Sequence, residues 1–154
     1  MLKKKILLGV TGSIAAYKTA DLIRQLRQND YFVQVIMTKS AKEFITPLTL
    51  QALSGNPVLE NMWDSSEGNG MAHINLSRTA DLILIAPSSA NFIAKLAHGN
   101  ADDLLSNLCL ARKCPLLVAP AMNAEMYDNH ATQRNINTIK KDGVLFSGPE
   151  SGEH

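Results

Sequence analysis

Cysteine is scarce. Cys109 and Cys114 are the only two in 154 residues, with no matching pair and no ligand cluster beside them, so the sequence suggests neither a disulfide framework nor a metal site. An excess of one charge is missing as well: 15 basic side chains stand against 14 acidic ones, a formal net charge of +1. No long-range field therefore recommends nucleic acid or an anionic membrane as partner, and any bound anion must be held by local geometry. No stretch approaches the roughly 20 apolar residues that a membrane-crossing helix needs. The opening MLKKKILLGV has a basic tip, but its apolar run is too short for a signal sequence and no small-residue cleavage site follows. Lys3 to Lys5 are expected to precede a strand, and the chain is expected to be cytoplasmic. Repeats, low-complexity tracts and linkers are also lacking, so residues 1–154 are expected to form a single domain.

What is present is an alternation. The chain is 45% hydrophobic and 19% charged, enough to bury a core at this length. Four short aliphatic runs, KILLGV (5–10), FVQVIM (32–37), LILIAP (82–87) and PLLVAP (115–120), are joined by a weaker fifth, GVLFSG (143–148). Runs apolar on both faces suit strands of a parallel sheet covered on both sides. Between them lie helical patterns. SIAAYKTADLIRQLRQ is expected to turn Ile14, Ala15, Leu22, Ile23 and Leu26 inward with Ser13 as N-cap, and ADDLLSNLCLAR and ATQRNINTIKKDG give two more helices, the last closed by Gly143. The expected architecture is α/β, a three-layer doubly wound parallel sheet of flavodoxin-like or Rossmann-like kind. DSSEGNGMA (64–72) is expected to be an exposed loop.

Ligands of such sheets gather outside the carboxyl ends of the strands. After the first run comes GVTGSIAAYK, in which Gly9, Gly12 and Ser13 build either an anion-binding turn or a plain strand-to-helix connection. It is neither a Walker loop nor the three-glycine dinucleotide fingerprint. After the second, MTKSAKEF offers Thr38 and Ser40, with capping by Ser40 as the simple reading. After the third come Ser88, Ser89 and Asn91, and after the fourth APAMNAEMY, where Asn123 and Met126 open a helix. Small hydroxyl and amide side chains at four strand ends point to a cofactor crevice. His73 precedes that crevice and has an imidazole able to titrate near neutrality, though a lone histidine is also compatible with a structural role. His98, His130 and His154 have no comparable setting, and Trp63 and Met62 read as packing residues or part of a subunit contact.

The segments GVTGSIAAYK, MTKSAKEFI, AHINLSRTADLILIAPSSANFIAKLAHGNADDLL and PAMNAEMY together resemble the homo-oligomeric flavin-containing cysteine decarboxylases. The likeness runs from residue 4 to the end, and it is nearest to the flavoprotein part of the phosphopantothenoylcysteine decarboxylases. It implies an FMN-binding domain, a homotrimer or higher homo-oligomer with flavin sites between subunits, and decarboxylation of 4′-phosphopantothenoylcysteine to 4′-phosphopantetheine in coenzyme A biosynthesis. By position it implies FMN contacts from Gly12, Ser13, Ile14, Thr38, Ser40, Ser89, Ala90, Asn91 and Ala121. Phe92 stands where many relatives carry a small hydroxylated residue. His73 matches the active-site histidine, and Asn123 and Met126 the substrate-binding motif. A flavin answers a real difficulty, since losing carbon dioxide from an ordinary cysteine would leave an unstabilised carbanion, and oxidising the thiol-bearing carbon supplies an electron sink.

The family continues past the point reached at SGPESGEH into a substrate clamp bearing a catalytic cysteine, and often into a synthetase domain. Neither Cys109 nor Cys114 matches that cysteine, and both read as core thiols. The resemblance therefore implies, for these 154 residues, FMN binding and oxidative decarboxylation with an impaired reductive half. Competing readings are a peptidyl-cysteine decarboxylase, a flavin prenyltransferase, and a non-catalytic FMN-binding regulatory subunit.

Overall fold

Successive side chains of a strand point to opposite faces, yet Ile6, Leu7, Leu8 and Val10 are all buried. Such burial requires cover on both faces. The computed structural model, which describes residues 2–62 and 71–148, has this arrangement. β1 (Lys5–Val10), β2 (Phe32–Met37), β3 (Leu82–Ser88), β4 (Leu116–Pro120) and the short β5 (Leu145–Phe146) form one sheet in the order β2-β1-β3-β4-β5. Every pairing is parallel, with Leu8 opposite Val35 on one side and Leu84 on the other. This is the expected doubly wound α/β fold, and the strand order is the flavodoxin-like one.

The helices are α1 (Lys18–Gln28), α2 (Pro47–Ser54), α3 (Met71–Thr79), α4 (Ala90–His98), α5 (Leu104–Ala111), α6 (Ala124–Asp128) and α7 (His130–Lys141). On one face of the sheet Leu7, Ile83, Ile85 and Val118 pack with Phe92, Ile93, Leu105, Leu108 and Ile136. On the other, Ile6, Leu8, Val10, Val35 and Leu84 pack with Ala16, Ile23 and Leu50. Each fully buried aliphatic side chain contributes about 1.5–3 kcal/mol, so the two clusters fix the register of β1 and β3 from both sides.

Several local expectations are corrected. The first helix opens as a 3-10 turn, Ile14–Tyr17, and α1 starts only at Lys18. Ser13 does cap that turn, accepting from Ala15 N–H at 3.1 Å. Ile14, expected inward, is 83% exposed, and Ala16 takes the buried place, because three residues per turn do not carry a 3.6-residue stripe through. Ser40 is not a cap: Thr38 Oγ1 accepts from Ala41 N–H at 3.3 Å, and Ser40 begins a second 3-10 turn, Ser40–Glu43. α3 starts at Met71, so Met71 and Ala72, expected in a loop, are helical, while 64–70 and Trp63 lie outside the described residues. Two features were not expected. One is α2, with Thr46 as N-cap, Pro47 in its first turn and left-handed Gly55 at its end. The other is a parallel bridge from Leu59 to Ile36 at the β2 edge.

Candidate active site

The chain leaves β1 for β2 on one side, then returns to β3 on the other, so the carboxyl ends of β1 and β3 diverge around a crevice. Backbone and hydroxyl groups stitch its rim. Thr38 N–H donates to Val10 O at 3.0 Å, and Ala121 N–H donates to Ser88 O at 3.0 Å. Thr11, 1% exposed, donates through Oγ1 to Pro87 O at 2.7 Å and accepts Ser89 N–H at 2.8 Å. Ser13 Oγ donates to Ala121 O at 3.4 Å. The end of β1 is thereby tied to the ends of β2, β3 and β4.

The crevice encloses a cavity of about 370 Å³, and Thr38, Ser40, Ser89 and Asn91 line it as the sequence led one to expect. Gly12 lies behind Ser40, where a Cβ would come within 2.7 Å of Ser40 Oγ; the missing side chain allows that approach. Ser89 caps α4, its Oγ accepting Phe92 N–H at 3.1 Å, and Ala90 and Asn91 follow in the first turn, where helix N–H groups lack intrahelical partners. Ser13 and Ala121 meet at the rim, whereas Ile14 points to solvent.

Of the expected residues only Thr38, Ser40, Ser89 and Asn91 line this cavity; Gly12, Ser13, Ile14, Ala90 and Ala121 do not, nor do the three given to catalysis and substrate. His73 sits on α3, 7% exposed, and its Nε2 has no hydrogen-bond partner among the described residues. Asn123 is the exposed N-cap of α6, and its Oδ1 accepts Met126 N–H at 2.8 Å. Met126 is 47% exposed. The lining includes Phe92, singled out above, and adds five residues that sequence reading passed over: Thr11, Lys39, Glu43, Lys95 and Asp103. Thr11 lay within the quoted glycine turn, and Lys95 is one helical turn after Asn91, so a search by helix face would have found both.

Charge is concentrated at Lys95. Its Nζ lies 3.0 Å from Asp102 Oδ1 and 3.3 Å from Asp103 Oδ2. Burial works against that charge, but the two aspartates outweigh it and leave the lysine pKa raised; the Lys95 hydrogen bond holds Asp102 below its ordinary value. Burial pushes the Cys109 thiol up to about 12 and raises Cys114 too, so neither is a poised nucleophile. Among the described residues no cluster of His, Cys, Asp and Glu is placed to hold a metal ion.

Comparison with known proteins adds four likenesses. The Flavoprotein family profile matches residues 1–153. The coenzyme A biosynthesis bifunctional protein CoaBC of Vibrio vulnificus (strain YJ016) is 54% identical over 150 residues, 97% of this chain, and the chain spans 37% of that relative's length. A probable phosphopantothenoylcysteine decarboxylase of Streptococcus mutans serotype c is 51% identical over 150 residues, covering 96% of this chain and 84% of the relative. The crystal structure of SpaF, described as an FMN-dependent cysteine decarboxylase, matches with a TM-score of 0.89 at 36% identity, covering 97% of this chain and 86% of SpaF.

Proposed function

The chain belongs to the Flavoprotein family, and on that premise we propose that it is an FMN-dependent decarboxylase removing carbon dioxide from the cysteine end of 4′-phosphopantothenoylcysteine, on the way to 4′-phosphopantetheine. The observation that carries this reading is the buried Nε2 of His73, without a partner among the described residues. Leaving such an atom unpaired costs about 1–3 kcal/mol, which a substrate or cofactor that pairs with it would recover. The 51% identity to the Streptococcus relative, over most of that protein, supports the choice of substrate.

The residues at the strand ends fit the cofactor. Thr38, Ser40, Ser89 and Asn91 offer neutral donors to a phosphate and a polyol chain, and the first N–H groups of α4 add the positive end of a helix. Gly12, Ser13, Ile14, Ala90 and Ala121 complete the proposed set. When bound, FMN would supply the two-electron acceptor that a cysteine carboxylate lacks. His73 Nε2, with no competing partner among the described residues, is the base that takes a proton in the oxidative half. Because Asn123 Oδ1 is held by Met126 N–H, its Nδ2 hydrogens remain to hold the substrate carboxylate. Met126 gives the apolar side of the same pocket.

A homotrimer belongs to this proposal. Ile14, Tyr17, Phe44 and Leu48, 83%, 65%, 52% and 73% exposed, leave apolar surface near the carboxyl edge of the sheet for another copy to cover. Action in the cytoplasm is also proposed, a compartment suited to free cysteines; among the described residues no helix is long and apolar enough to cross a membrane.

The test begins with the absorption spectrum of purified protein and identification of the released flavin. Carbon dioxide release is then measured with phosphopantothenoylcysteine and with a cysteine-ended peptide. His73→Asn is expected to keep FMN and lose carbon dioxide release; full turnover by that variant removes the histidine from the mechanism, and preference for the peptide replaces the substrate assignment.

A further inference from the structure

We infer that Lys95 is a further cofactor-binding residue, whose ammonium, clamped by Asp102 and Asp103 at the wall of the cleft, donates its remaining N–H to the phosphate of FMN. This rests on the FMN reading above and adds a charged contact to a set composed of hydroxyls, amides and backbone. A lysine ammonium has three donors. Asp102 Oδ1 at 3.0 Å and Asp103 Oδ2 at 3.3 Å engage two of them. Lys95 lies four residues after Asn91 on α4, hence on the same helix face, and both side chains line the cavity with Ser89.

The Asp103 side of the clamp is fixed independently of the lysine. Gly99, at φ 69°, ends α4 and turns the chain back. Asp103 Oδ1 accepts Ser106 N–H at 2.8 Å and Ser106 Oγ–H at 2.6 Å. Asn107 Nδ2 donates to Ala101 O at 2.9 Å and Asp103 O at 2.7 Å. The ammonium, on a side chain only 19% exposed, is therefore held at one point before any ligand arrives, which lowers the ordering cost of binding.

A plain ion pair between α4 and the loop before α5 would contribute little and gives no reason for the lysine to line the cavity. Charge balance does. The residues that line the cavity include two acidic ones, Glu43 and Asp103, and two basic ones, Lys39 and Lys95. Without Lys95 a phosphate would meet two carboxylates and one exposed lysine.

The experiment titrates flavin-free protein with FMN and, separately, with riboflavin, following quenching of flavin fluorescence. Lys95→Met is expected to weaken FMN ~10- to 100-fold, the loss of one hydrogen bond between charged groups, with riboflavin affinity unchanged. Lys95→Arg restores part of the preference for FMN. Thermal unfolding of the flavin-free variants is recorded alongside. Equal weakening of both flavins, or no weakening of FMN, overturns the contact and leaves Lys95 a structural ion pair. Wild-type protein that binds neither flavin overturns the FMN reading itself.

Discussion

Replacing Gly12 by alanine separates space from backbone freedom at the first strand end. The positive φ values among the described glycines belong to Gly55, Gly99, Gly143 and Gly148, so an alanine at 12 meets no conformational penalty of that kind. Its Cβ would stand 2.7 Å from Ser40 Oγ, 2.8 Å from Ser40 Cβ and 3.3 Å from the Ser40 carbonyl carbon. The hydroxyl can rotate away, but the other two atoms cannot move without their backbone. Since carbons rest about 3.5–4.0 Å apart, the Ser40–Glu43 turn must shift outward by on the order of 1 Å. Overpacking of this size costs about 1–3 kcal/mol, and because Thr38 and Ser40 line the cavity, it falls on the site as well as on stability. We expect Gly12→Ala to lower the denaturation midpoint and weaken FMN binding at least ~10-fold, about 1.4 kcal/mol of misplaced contacts. Gly9→Ala is the control: its Cβ would meet Leu105 Cδ1 at 2.7 Å and Ile85 Cδ1 at 2.8 Å, deep in the core, so stability falls while flavin affinity holds. Adding Ser40→Gly to Gly12→Ala removes two of the three close contacts, and the pair should be more stable than Gly12→Ala alone. Stability costs that simply add across the two sites, or a Gly12→Ala protein with native flavin affinity, would refute the reasoning.

Asn123→Asp keeps an oxygen to cap α6, as Asn123 Oδ1 does for Met126 N–H at 2.8 Å, but removes the amide donors. Unfolding should be unchanged while KM for phosphopantothenoylcysteine rises ~10-fold or more, and an unchanged KM would end the carboxylate role. Thr11→Val loses both hydrogen bonds that join Pro87 and Ser89. It should destabilise by about 1–3 kcal/mol in denaturant titrations, and Thr11→Ser should recover most of that; equal losses would mean that the methyl group, and not the hydroxyl, is what matters. Cys109, held protonated up to about 12 against an ordinary 9.0, binds a proton in the folded chain that the unfolded chain has released. Its contribution is whole below 9.0 and is lost as pH rises toward about 12. Stability of Cys109→Ala, measured across that range by denaturant midpoints, should fall less steeply than wild type; parallel curves would exclude the thiol as a source of the slope.

The sheet was legible because its strands announce themselves: a run such as KILLGV has room for only one solution when both faces are buried, and Leu7 and Leu8 do end up in different cores. α2 was missed because its signals are local, a Thr46 cap, Pro47 and Gly55, around a segment with little contrast between its faces. Ile14 was misplaced because a 3-10 turn precedes α1, and no hydrophobic pattern distinguishes that turn from an early helix. Lys95, Asp102 and Asp103 carry no signal of a shared site in a linear sequence. They meet only because Gly99 reverses the chain.

Residue type and motif position also left open which atom of a polar side chain is available, and that is settled by the backbone around it. Thr11 lines the cavity, yet its hydroxyl both donates to Pro87 O and accepts from Ser89 N–H; it shapes the site and has no proton left to give a ligand. Ser89 Oγ accepts from Phe92 N–H at 3.1 Å, and its hydroxyl hydrogen has no acceptor among the described residues. Asn123 repeats the pattern, with Oδ1 committed to the start of α6 and its amide hydrogens unspent. Capping thus orients these side chains as well as closing helices. The atom consumed by the backbone fixes the rotamer and leaves the other atom already ordered, so that a ligand meeting it would lose less side-chain entropy than with a freely rotating residue. By the same reasoning, substitutions that preserve the cap and alter only the free atom should change affinity without changing stability, whereas those that remove the cap should change both.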